Sequence, residues 1–301
     1  MNIKRRDFLK QSALGVGGLM VGAQLGSAGD VAEKGFDPYA MIPYGRTGLK
    51  FSRVCMGTGV RGGNRQSNQT RKGRAFLEKL LRDAYERGVR TYDLADLYGT
   101  HDYIPAAFAG IPRDGYQLIT KIWWNKGGIP EPERPKADVV VARFLKELKT
   151  DYIDLLLLHC VIAPNWPDQL RSQMKILTKL KAQGKIRALG VSCHSIEALE
   201  AAVTEPWVES VHTRINPYGM SMDGPPDTVV PVLKKLHAAG KGVIGMKIIG
   251  EGRLRNDDAR RDESVKFALS LGCVDVLNVG FEKVEEVDDL AARVRKVPLP
   301  S

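Results

Sequence analysis

Four side chains with complementary acid–base chemistry stand at the ends of apolar runs in this 301-residue chain. Asp93 and Tyr98 lie in Tyr92-Asp93-Leu94-Ala95-Asp96-Leu97-Tyr98-Gly99. Lys121 closes Leu118-Ile119-Thr120-Lys121, and His159 closes Leu155-Leu156-Leu157-Leu158-His159. An acid, a phenol, an amine and an imidazole brought together make a proton-donating site. A free tyrosine, with a pKa of about 10, gives up its proton reluctantly near neutrality. A nearby ammonium stabilises the phenolate, so Lys121 is expected to lower the pKa of Tyr98. Asp93 would keep that ammonium charged in a dry cavity. His159 would hydrogen-bond a carbonyl oxygen and stabilise the negative charge that develops there. This chemistry suits carbonyl reduction, which needs a hydride at carbon and a proton at oxygen. Asp96 is a second carboxylate candidate in the same segment.

Positioning four such groups requires a scaffold that repeats strand ends on one face. Strands are expected at Val54–Thr58, Thr91–Leu94, Gln117–Lys121, Ile153–His159, Ala188–Ser192, Ser210–Ile215, Gly242–Ile248 and Val274–Val279. Several are continuous apolar runs, as strands buried on both faces must be. Helical patterns separate them: Leu77, Leu80, Leu81 and Ala84 follow the i, i+3, i+4, i+7 spacing. Gly88, Gly184, Gly240 and Gly272 each stand between a helix and the next strand, where a left-handed residue ends a helix. The strand-to-helix connections are longer, those at 59–73 and 124–136 most of all. Eight such units predict an α/β fold, a (β/α)8 TIM barrel with its functional loops on one face. Met41-Ile42 and Phe51-Ser52, flanking Tyr44-Gly45-Arg46-Thr47-Gly48-Leu49, read as a hairpin ahead of the barrel. An open dinucleotide-binding sheet is disfavoured, because Met56-Gly57-Thr58-Gly59-Val60-Arg61-Gly62 misses the G-x-G-x-x-G spacing.

The order Asp93, Tyr98, Lys121, His159 at successive strand ends resembles the aldo-keto reductase family, over roughly Tyr44 to Leu290. The resemblance implies carbonyl reduction with NADP or NAD, Tyr98 as general acid, Asp93 and Lys121 tuning it, and His159 orienting the substrate. Its spacing selects Asp93 over Asp96. It also implies a cofactor site. Gly57 and Thr58 end the first barrel strand. Gly190-Val191-Ser192-Cys193-His194 is similar to the segment that holds the nicotinamide carboxamide, with Ser192 matching and Cys193 in place of an amide. His212 stands where a glutamine serves the same group. Lys247, in a Gly-rich loop, would meet the pyrophosphate. Gly280, Phe281, Glu282 and Lys283 correspond to the adenosine phosphate pocket. The acidic run from Glu282 to Asp289 tilts the expected preference slightly toward NAD, since a carboxylate repels a 2′-phosphate.

Composition narrows the class further. The net charge is +10, and nucleic-acid binding is not expected, because no recognition motif accompanies the basic residues. The four cysteines form no disulfide framework, and no apolar stretch is long enough to span a membrane. His159-Cys160 and Cys193-His194 would suggest zinc, but neighbours in a strand point to opposite faces, so no metal is expected. Residues 1–28 read as an export signal: a basic start, an apolar stretch and small residues at Gly26-Ser27-Ala28. Lys4-Arg5-Arg6-Asp7-Phe8-Leu9-Lys10 resembles a twin-arginine signal, which implies the twin-arginine machinery as partner and an extracytoplasmic, periplasmic location. Residues 29–40 would be a linker and 41–301 the barrel. Arg61, Arg65, Arg71, Lys72 and Arg74 put a positive rim on the functional face, suggesting a small carbonyl substrate that is anionic. The chain ends soon after its last helix, implying a shallow, open pocket. Two rivals share the residues: a ligand-binding barrel with reduced or no turnover, and an isomerase using the tetrad for proton transfer alone.

Overall fold

The computed structural model describes residues 35–300. A hairpin of β1 (Met41–Pro43) and β2 (Lys50–Ser52) precedes eight further strands. These are β3 (Val54–Gly57), β4 (Thr91–Asp93), β5 (Gln117–Trp123), β6 (Ile153–Val161), β7 (Ile186–Cys193), β8 (Ser210–Arg214), β9 (Gly242–Met246) and β10 (Val276–Gly280). Strands β3 to β10 pair in parallel, each with the next, and β10 returns to β3, closing the expected barrel. Helices follow the strands; after β4 the helical element shrinks to short turns and Ile104–Ala107. Gly88, Gly184, Gly240 and Gly272 all hold positive φ, between 66° and 113°, so the short returns to the strands form as the sequence predicts.

The period of two along each strand sorts side chains between lumen and outer layer. On β6, Leu155 and Leu157 pack inward with Ile119, Ala188, Ile244 and Val276. Leu156 and Leu158 pack outward in the layer shared with the helices. Each fully buried leucine contributes roughly 1.5–3 kcal/mol. The hairpin supplies Tyr44 and Phe51, which are buried against this inner cluster and close one end of the lumen. The Tyr44 hydroxyl lies 2.5 Å from Ser210 Oγ on β8, which satisfies the buried phenol. The other end of the lumen, where the parallel strands terminate, is left for polar residues.

Of the linker expected over 29–40, residues 35–40 are described, and they pack on the barrel. The Phe36 N–H donates to the Val297 carbonyl at 3.0 Å, and the Arg53 guanidinium sits 4.5 Å from the Phe36 ring centre. An aromatic ring with a partner on the barrel body docks there, so 35–40 belong to the folded unit. The signal read over 1–28 lies outside the described residues. No helix among the described residues is long and apolar enough to cross a membrane.

Candidate active site

At the open end of the lumen the sequence's four residues come together. Lys121, in the middle of β5, is fully buried. Its ammonium donates to Asp93 Oδ1 at 2.5 Å and to the Leu94 carbonyl at 2.9 Å. The second Asp93 oxygen accepts from the Asn278 amide of β10 at 2.8 Å. A buried ion pair needs such extra bonds to offset desolvation. Asp96, three residues on, faces elsewhere: Arg65 and Arg143 hold its two oxygens at 2.9 and 2.7 Å.

Tyr98 ends a short turn, Asp96–Tyr98, and its ring lies 5.1 Å from the Lys121 ammonium. Gly59 and Gly62 make room for it; a Cβ at either position would overlap the ring. The Tyr98 hydroxyl and His159 Nε2 are 3.4 Å apart, and Trp123 stands edge-on to His159 at 5.4 Å between ring centres. Burial pushes the Tyr98 phenol well above its ordinary pKa, with the Asp93 carboxylate adding in the same direction. That differs from the expectation that Lys121 would lower it. The main cause is burial of the phenol, to which the nearby Asp93 carboxylate adds. Burial and the Lys121 charge hold His159 well below its usual pKa, so it is a neutral imidazole.

From Asp93 and Tyr98 a cleft of about 470 Å³ runs outward between the loops after β3, β9 and β10. Its size suits a small-molecule or cofactor site. Apolar Val60, Met246, Ile248 and Phe281 line it, as do Arg253, Arg255 and Arg261. The aldo/keto reductase family profile matches residues 53–299. The chain belongs to this family. Its members are NAD(P)-dependent oxidoreductases. Aldo-keto reductase YhdN of Bacillus subtilis is 29% identical over 72% of this chain and 67% of its own length. The NADH-specific methylglyoxal reductase of Escherichia coli is 29% identical over 50% of this chain and 51% of its own length. In fold, the chain resembles an aldo/keto reductase from Klebsiella pneumoniae solved with NADP and acetate. The TM-score is 0.61 at 22% identity, covering 85% of this chain and 90% of that one.

For this family member the expected cofactor residues divide into two groups. Gly57, Lys247, Gly280, Phe281 and Glu282 line the cleft. Ser192 and His212 are buried on neighbouring strands, paired in register. The others go elsewhere. The Thr58 hydroxyl is committed to the Asp93 carbonyl at 2.9 Å and to Thr100. Cys193 falls on the outward phase of β7, in the helix-facing core, with its sulfur 3.7 Å from the Ala198 carbonyl. Lys283 is exposed and does not line the cleft. Glu282 is matched by Arg255 at 2.5 Å and Lys72 at 3.8 Å, so the acidic run is partly neutralised. The positive rim is neutralised too: Arg65 pairs with Asp96 and Glu131, and Arg74 with Glu78, while Arg61 lines the cleft. The residues fit a nicotinamide cofactor. Both His212 nitrogens and Asn278 Oδ1 are buried without partners, as groups awaiting a carboxamide would be.

Several site residues were not found from sequence. Asn278 sits inside an apolar run, Val276-Leu277-Asn278-Val279, where a lone polar residue was the available signal. Arg214, on the lumen phase of β8 two residues past His212, offered the same signal. The bulge in β6 between Leu158 and Val161, with Cys160 at φ 56°, had none. It brings the Cys160 sulfur to 3.3 Å from His194 Nε2. Among the described residues no group of three or more potential ligands could hold a metal ion.

Proposed function

We propose that this chain reduces aldehydes or ketones to alcohols with NAD(P)H, that Tyr98 is its general acid, and that it works outside the cytoplasm after twin-arginine export. The observation that carries the reading is the approach of the Tyr98 hydroxyl, on a residue that lines the cleft, to His159 Nε2 at 3.4 Å. A carbonyl oxygen received between them takes a hydrogen bond from each. When bound, the nicotinamide supplies the hydride; Ser192 and His212 would hold its carboxamide, and the arginines of the cleft its phosphates.

The remaining chemistry belongs to the side chains. The raised phenol stays protonated across the working pH range, so the donor is always loaded. As negative charge grows on the substrate oxygen, the Tyr98 proton moves to it. Lys121 stabilises the phenolate left behind, and Asp93 and Asn278 fix the position of Lys121. Neutral His159 orients the oxygen without competing as an acid. Trp123 covers the imidazole and limits water. Glu282, Glu286 and Asp289 favour NAD over NADP, but Arg253, Arg255 and Arg261 reduce the margin. Affinities within about tenfold follow, since partly exposed charges are worth roughly 1 kcal/mol.

The test follows nicotinamide absorbance with an aldehyde panel. Tyr98→Phe should keep the fold and lose about 10²-fold or more in turnover. Retention of a tenth of the wild-type rate would reassign the general acid. Export is tested separately with Arg5→Lys and Arg6→Lys together, which keeps the charge and changes the recognised pair; the protein should then stay in the cytoplasm.

A further inference from the structure

Beyond the tetrad and the cleft, one cluster in the barrel mouth has no assigned task. Cys160, His194, Arg214 and Asp223 form a chain of contacts beside His159. The His159 and His194 ring centres are 6.4 Å apart. Arg214 donates through a guanidinium N–H to His194 Nδ1. Asp223 comes within 3.3 Å of the same guanidinium, yet neither of its oxygens has a hydrogen-bond partner among the described residues. The Arg214 Nε is buried and likewise unpartnered.

A nucleophilic Cys160–His194 pair is the first reading to test, and the tautomer rules against it. Arg214 is a donor only, so His194 Nδ1 must accept, and the ring proton sits on Nε2. That nitrogen then points a hydrogen at the Cys160 sulfur and cannot remove its proton. Burial pushes the thiol up to about 11, in agreement. The bulge and the Cys160–His194 contact instead fix the imidazole, and the imidazole fixes Arg214. What remains is a guanidinium held by His194 and facing Asp223, with its buried Nε unfilled, separated from the carbonyl position by the His194 and His159 rings.

We propose that Arg214, steadied by His194, receives the carboxylate of the substrate, so that this reductase acts on oxo acids whose carboxylate and carbonyl are separated by a short carbon chain. The proposal rests on the carbonyl-reductase reading and names its substrate class. A planar fork is the group best suited to a carboxylate. Asp223 is its weak internal competitor: burial raises that carboxyl to about 6, and only Arg214 and Lys247 oppose the rise. The rim arginines, by contrast, are mostly occupied, so anion selection falls to the lumen.

The experiment compares 4-oxobutanoate with butanal, which lacks only the carboxylate, using the full chain and either cofactor. The ratio of their kcat/KM values is measured for the wild type, Arg214→Met and Arg214→Gln. Wild type should favour 4-oxobutanoate. Both variants should lower the ratio roughly ten- to a hundredfold, the usual worth of a hydrogen bond to a charged group. Calorimetric titration with butanoate gives a second readout that needs no turnover, and its affinity should fall in parallel. A ratio unchanged by Arg214→Met, or by Arg214→Gln if the methionine variant does not fold, overturns the proposal. So does equal butanoate binding by wild type and variants, which would place the carboxylate between Tyr98 and His159. If neither aldehyde is consumed but butanoate binding still depends on Arg214, the reductase reading fails and the anion site stands.

Discussion

The two sides of the barrel mouth are built differently. On the β4–β5–β10 side, both Asp93 oxygens and the Lys121 ammonium have partners, and of this trio the Asn278 side-chain oxygen alone is left without one. On the β7–β8 side, His212, Thr213, Arg214 and Asp223 leave buried nitrogens and oxygens without partners. A satisfied buried network rigidifies, and an unsatisfied one costs free energy until something arrives to pair with it. The first side is preorganised for proton transfer. The second leaves polar groups free for ligands, on the readings proposed above nicotinamide at His212 and an anion at Arg214. On those readings the proton chemistry sits on the satisfied wall, and recognition falls to the unsatisfied one and to the cleft after β9 and β10.

The largest test of that division is removal of a partner from the closed side. Asp93→Ala leaves the Lys121 ammonium buried without compensation, and breaking such a pair costs about 3–5 kcal/mol. Urea unfolding should show the loss, with turnover abolished as well. A smaller effect is expected at the seat of Tyr98. Gly59→Ala inserts a methyl against the ring, and overpacking costs about 1–3 kcal/mol. Turnover should fall more than the unfolding midpoint if the displaced Tyr98 is the proton donor proposed above.

The open side should behave in the opposite way. His212→Leu removes an imidazole whose two nitrogens lack partners, so stability should change by no more than about 1 kcal/mol or rise. Cofactor affinity, measured by fluorescence quenching, should nonetheless drop. If His212→Leu destabilises as much as Asp93→Ala, the contrast between the walls is wrong. The finest test is pH-dependent. The Asp223 carboxyl is raised from 3.8 to about 6 in the fold by burial. The folded state therefore holds the proton more tightly than the unfolded chain. Stability from this group is present below the unfolded pKa and declines as pH rises through about 6. Asp223→Asn should raise the melting temperature at pH near 7.5, and the gain should shrink toward acid pH. A gain that is constant with pH would show that the carboxyl is not titrating there.

Much of this was legible in the chain. The barrel could be read because its signals are local: apolar runs of strand length, helical spacing, and glycine at the ends of four helices. Asp93, Tyr98, Lys121 and His159 could be read because strand ends on one face of a parallel barrel must converge. The cofactor positions were less legible. Ser192 and Cys193 are adjacent, and a period of two sends one into the lumen and the other into the helix layer. The sequence held that information, but a match by position passed over it.

The sequence by itself determined the scaffold and the candidate acid–base groups, since both follow from periodicity and from residue type at predictable places. Tertiary structure alone decided how charges are matched. Asn278 reaches Asp93 across 185 residues of chain, and Arg255 and Lys72 reach Glu282 from separate loops. Neither leaves a local trace: the Asn278–Asp93 and Lys72–Glu282 contacts depend on barrel closure bringing the last strand beside the first, and Arg255 meets Glu282 because β9 and β10 pair. The same holds for Arg214. Its type and strand position are written in the chain, but its contact with His194, and that of His194 with Cys160 at the β6 bulge, exist only in the folded barrel. Local patterns fix which groups face the lumen; only the closed lumen fixes which of them are satisfied and which still want a partner.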